Sequence, residues 1–141
     1  MSATLLYRLA AVLLLLFAVG HTAGFLTFRP TSPEALAVSE SMSSVLFDFN
    51  GRTSSYGQFY VGFGLTVTAY LLFSSLLAWH LGGLARSQPQ AIGSLAWSFV
   101  AVQLAGLVLN ALYFFLVPVL FSAAIVVCLA WAAWLLRTRA A

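Results

Sequence analysis

Apolar residues run almost unbroken through four stretches of this chain, and polar residues gather in one segment between the first two. A membrane-spanning helix needs roughly 20 predominantly apolar residues. The first stretch, residues 5–26, fits, with Arg8 in its first turn. Its basic start and apolar core also have the form of a signal peptide; we expect a retained span. The second stretch is residues 58–81. The third and fourth come from the uncharged run 87–136, too long for one crossing and suited to two. Pro118 belongs in a first helical turn and disfavours helix in the residue before it, which places the break between 110 and 118. The spans are then 91–113 and 116–136, antiparallel neighbours joined by a few residues. The expected fold is all-α: an integral-membrane, antiparallel four-helix bundle forming a single domain, residues 1–141.

Residues 27–57 form the one sizeable polar segment. Thr31-Ser32-Pro33-Glu34 is a helix-start signal, with a capping hydroxyl, Pro in the first turn and an acid at the positive dipole end. Ala35, Val38, Met42, Val45, Leu46 and Phe49 recur at helical spacing, with Ser39, Ser41, Ser43, Ser44 and Asp48 largely between them. The pattern predicts a short amphipathic helix along the outer membrane face or capping the bundle, ended by the turn signal Asn50-Gly51.

Composition narrows the class further. Of 141 residues, 62 % are hydrophobic and 6 % charged, against about 45–50 % and about 25 % in soluble domains. A soluble globule, a disordered chain and a nucleic-acid binder all fit poorly. The net charge of +3 comes from six Arg and three acids, with no Lys. Arg8, Arg86, Arg137 and Arg139 flank the spans on one side, while Arg29 and Arg52 lie on the other with Glu34, Glu40 and Asp48. Cytoplasmic flanks collect positive charge, so both termini are expected in the cytoplasm. Trp79, Trp97, Trp131 and Trp134 fall toward that side, as an interfacial belt would. The single cysteine, Cys128, rules out an intrachain disulfide and a cysteine metal cluster.

Candidate chemistry converges on the opposite face. His21 lies near the outer end of span one, the loop delivers Asp48, Asn50 and Arg52, and span two opens with Tyr56, Gln58 and Tyr60. In span three Gln103, Gly106, Asn110 and Tyr113 share one helix face. Polar side chains at membrane depth are costly unless they pair or line a wet cavity. A polar pocket in the outer half is expected, with His21, Arg52, Tyr56, Tyr60, Gln103, Asn110 and Tyr113 as ligand-binding candidates. His21, Asp48 and Arg52 are the catalytic candidates. Each has a plainer alternative. His21 is either a proton-transfer group or an interfacial histidine bonded to a carbonyl. Asp48 and Arg52 either hold an anionic ligand or pair to fold the loop. Gln103 and Asn110 are either interhelical glue or pocket lining. No metal site and no cofactor is expected. His21 and His80 lie toward opposite membrane faces, about 25–30 Å apart, which argues against a bis-His haem. The spans hold no Asp, Glu or Lys, which argues against a transporter.

Arg8, Gly20-His21-Thr22-x-Gly24, Phe47-Asp48-x-x-Gly51-Arg52 and Tyr56-x-x-Phe59-Tyr60-x-Gly62-Phe63-Gly64 resemble an uncharacterised family of small bacterial four-span membrane proteins. The chain is also loosely similar, in architecture, to DoxX-like four-helix proteins. The resemblance implies the bacterial inner membrane and no particular reaction or cofactor. The leading expectation is a non-catalytic protein: an accessory subunit of a larger membrane complex, or a binder of lipid or another hydrophobic molecule, with membrane lipids and other subunits as partners. The competing expectation is an enzyme acting on a lipid, quinone or isoprenoid, with His21 as general acid or base.

Overall fold

The structure is a computed structural model describing residues 2–140; the side chain of Arg139, counted above among the flanking cations, lies outside the described residues. The chain runs as α1 (Ala3–Thr27), α2 (Pro33–Ser44), β1 (Leu46–Phe49), β2 (Arg52–Ser55), α3 (Tyr56–Ser87), a 3₁₀ turn (Pro89–Ala91), α4 (Leu95–Tyr113) and α5 (Leu116–Ala140). Among the described residues four helices are long and apolar enough to cross a membrane. At 1.5 Å per residue, α1 spans about 38 Å and α4 about 28 Å, which matches a hydrocarbon core of roughly 30 Å. The fold is a helical membrane bundle.

Two compact units are present, residues 1–17 with 71–141, and residues 18–70. In the first, the early turns of α1 pack antiparallel to the later turns of α3, and α4 to α5. Ala10, Ala78 and Ala132 are completely buried. Small residues of this kind let helix backbones approach closely where lipid offers no hydrophobic drive to association. Tyr7, Leu14, Leu81, Ile125 and Leu129 fill the remaining space, and Phe17 stacks on Phe121 with ring centroids 5.6 Å apart. The α4–α5 break falls at Phe114-Phe115, inside the window that Pro118 defines, and Pro118 occupies the first turn of α5.

The second unit departs from the expected long amphipathic helix. Ser32 caps α2 by accepting a hydrogen bond from the Ala35 N–H (3.2 Å), and Pro33 opens the helix, as the sequence signal requires. The helix then stops at Ser44, and 46–49 is a strand. Val45 is β-branched and Phe47 aromatic, both better suited to strand than to helix. Asn50 and Gly51 both take positive φ, 52° and 82°, the signature of a two-residue hairpin turn whose twist matches paired strands. Turn chemistry outweighs the helical spacing of Val45, Leu46 and Phe49, and Asn50-Gly51 closes a hairpin rather than ending a helix. Phe47 stacks on Phe59 (centroids 6.0 Å apart) and Phe49 meets it edge-to-face (5.7 Å), which fixes the hairpin against the start of α3.

Two span boundaries also shift. The second span is longer than 58–81, because α3 starts directly after β2. The third starts at Leu95 rather than 91, because Pro89 and Gly93 (φ 44°) hold 88–94 as a tight connector.

Gly51→Val places a β-branched residue at positive φ, at a cost of about 1–2 kcal/mol. The expected outcome is roughly tenfold faster proteolysis within 45–56, with helical circular dichroism unchanged.

Candidate functional site

The candidate residues divide between the two units. In the second unit His21 projects from the end of α1, and its Nε2 lies 3.0 Å from the Gly64 carbonyl oxygen. A carbonyl only accepts, so this nitrogen carries the proton and donates. A side chain at position 64 would meet the Phe25 ring at 2.7 Å, so a glycine is what admits this contact. Beside it the Thr22 and Thr68 hydroxyls are 2.8 Å apart, Thr22 also reaching the Ala18 carbonyl (2.7 Å) and Thr68 the Gly64 carbonyl (3.1 Å). Two hydroxyl protons are shared among three contacts, and the pair bridges α1 to α3 whenever either hydroxyl donates to the other.

Asp48 is engaged locally. Its Oδ1 accepts the Gly51 N–H at 2.9 Å and braces the hairpin turn. The strand register pairs Asp48 with Thr53 and Phe49 with Arg52. Facing residues of a ladder share one side and neighbours alternate, so Asp48 and Arg52 stand on opposite faces of the ribbon. That geometry favours neither the ion pair nor the shared anion clamp. Tyr56 lies 4.8 Å from Phe47 by ring centroids, and Tyr60 meets the edge of Phe25.

Gln58 has a role the pocket reading missed. Its Oε1 accepts the Ser55 N–H (3.1 Å), and the Ser55 Oγ accepts the Gln58 N–H (3.3 Å). This is a reciprocal capping box for α3, and the spacing Ser55-x-x-Gln58 is its visible signal.

In the first unit each amide donates to a small hydroxyl on the neighbouring helix. Gln103, buried in α4, donates to Ser74 of α3 at 3.2 Å. Asn110 donates to Ser122 of α5 at 2.6 Å, and Ser122 passes its proton to the Pro118 carbonyl (2.8 Å). Ser75 donates to the Ala11 carbonyl of α1 at 2.8 Å. Tyr113 is 75 % exposed at the end of α4. Ser74, Ser75, Ser122 and Thr68 were not singled out from sequence, although a small hydroxyl inside an apolar helix is itself a sign of an interhelical bond.

Among the described residues no three of His, Cys, Asp and Glu come together as metal ligands. The chemistry on display is hydrogen-bonded helix clasping, and with four spanning-length helices it defines a multi-pass helical membrane protein. No family model, curated protein or solved structure matches the chain.

The Asn110–Ser122 bond is open to a double-mutant cycle. Asn110→Ala and Ser122→Ala should show a coupling energy of about 0.5–1.7 kcal/mol in bilayer unfolding. Additive effects of the two substitutions would instead separate Asn110 from the α4–α5 contact.

Proposed function

We propose that this chain is a non-catalytic accessory subunit of a larger membrane complex, engaging a partner protein through its extramembrane segment. The observation that carries the reading is an apolar groove of about 390 Å³ lined by Ala37, Val38, Ser41, Met42, Val45 and Tyr56. No residue of α2 is buried, so its apolar stripe has no cover within its own unit. Helices that lie on a membrane surface carry Lys and Arg on their polar face. Here α2 carries Glu34 and Glu40 and no cation, which favours a protein surface over an anionic lipid one.

The polar groups of the spans support the non-catalytic part. His21 Nε2, Gln103 and Asn110 each have a hydrogen-bond partner within the fold, and Asp48 is held by its turn. With Nε2 donating to the Gly64 carbonyl, His21 keeps one ring nitrogen, Nδ1, rather than two for proton transfer. The placement of Arg8, Arg86 and Arg137 at one end of the spans supports cytoplasmic termini and a bacterial inner-membrane location.

A photo-crosslinking residue at Val38, which is 59 % exposed, tests the reading in native membranes. A discrete protein adduct is expected, retained in a His21→Gln background. Lipid adducts alone would overturn the accessory role, and loss of the adduct with His21→Gln at normal protein level would return His21 to a functional one.

A further inference from the structure

Arg8 is the one charged group set well within the early turns of a spanning helix, and its surroundings do not neutralise it. The guanidinium stacks on Trp79, with Cζ 3.5 Å from the ring centroid. A cation over an indole face is attracted by the ring quadrupole but keeps its charge. Its Nη1 is buried and has no hydrogen-bond partner among the described residues, and the neighbouring Tyr7 hydroxyl is in the same condition. The three acids of the chain are Glu34, Glu40 and Asp48, so the unit formed by 1–17 and 71–141 contains no Asp or Glu at all. A cation withdrawn from water with no counter-charge is costly. No acidic side chain of its own unit balances Arg8.

The shape beside Arg8 points to a carrier of the counter-charge. At Arg8 the two helices are tight: a side chain at Gly82 would lie 3.2 Å from Arg8 Nε and 3.3 Å from Tyr7 Cβ. One turn further along α1 they part into a groove of about 430 Å³, lined by Ala11, Val12, Leu15, Leu72, Leu76 and Trp79. Ser75 also borders it, but its hydroxyl is already donated to the Ala11 carbonyl. From Trp79 to Leu72 the groove runs about 10 Å along α3, a large part of one leaflet's roughly 15 Å of hydrocarbon. Trp79, on which Arg8 stacks, stands at its headgroup end, and the lining beyond it is apolar.

We propose that this groove is a binding site for a glycerophospholipid with an anionic headgroup, its phosphate paired with Arg8 and an acyl chain lying between α1 and α3. Guanidinium and phosphate form charge-assisted, frequently bidentate hydrogen bonds, and the phosphate supplies the counter-charge that this unit lacks. Trp79 contributes the interfacial ring that holds the guanidinium in place. The site lies apart from the α2 groove and does not depend on the accessory role.

Native mass spectrometry of the detergent-purified full chain tests this, titrated in parallel with dioleoylphosphatidylglycerol and dioleoylphosphatidylcholine. We expect one phosphatidylglycerol adduct, retained about fivefold more tightly than phosphatidylcholine, the factor one cation contributes toward an anionic headgroup. Arg8→Gln should abolish that preference, and Arg86→Gln, which alters net charge equally, should preserve it. Leu15→Trp, which fills the groove and leaves the charge in place, should weaken both adducts. Equal retention of the two lipids by the unaltered chain overturns the proposal without recourse to any variant. So does a preference that Arg86→Gln removes as fully as Arg8→Gln.

Discussion

A polar side chain surrounded by hydrocarbon must find a partner or be lost to folding, and this constraint organises the molecule. Lipid tails are as apolar as Leu or Phe, so burying more of either does little to hold helices together. Small residues bring the backbones close, and a few hydrogen bonds fix which helix faces which. In the first unit α1 is joined to α3 by Ser75 and the Ala11 carbonyl, α3 to α4 by Ser74 and Gln103, and α4 to α5 by Asn110 and Ser122. In the second unit His21 and Thr22 join the end of α1 to the start of α3. Each bond lies between successive spanning helices, as expected if its work is register and pairing.

Arg8 is instructive because it breaks the pattern. Every amide and hydroxyl in these bonds has a protein partner, whereas the guanidinium has an aromatic face and no acid in its unit. The distinction separates groups that hold the fold from a group available to something else. The same logic applies to the extramembrane segment. Asp48, the capping Ser32 and the Asn50-Gly51 turn are engaged in shaping α2 and the hairpin, while the apolar stripe of α2 is left uncovered.

Much of the architecture was readable from residues alone. The uncharged run 87–136 could only fold as two crossings, and Pro118 located the break. Ser32-Pro33-Glu34 announced α2 because capping is local chemistry. The hairpin was missed because Val45, Leu46 and Phe49 satisfy a helical period while Val45, Phe47 and Phe49 satisfy an alternating one. Only the positive-φ demand of Asn50-Gly51 decides between them. Gln58 was grouped with the outer-face polar residues although its spacing from Ser55 already identified a cap. For Gln103 and Asn110 the sequence named the right side chains and left open whether they held helices or a ligand. Their partners, Ser74 and Ser122, are single hydroxyls whose meaning depends on which helix lies opposite, and helix pairing is not written in either residue.

The most direct test of this account is the stability of a Gln103→Leu variant, unfolded reversibly in mixed micelles or bicelles. Replacing a buried clasp by an apolar side chain of similar size strands the Ser74 hydroxyl, and a loss of about 1 kcal/mol is expected. Residues kept for binding or catalysis instead tend to cost stability, and their removal raises it. A Gln103→Leu protein more stable than its parent would contradict the view that the polar groups of these spans exist to hold the helices together.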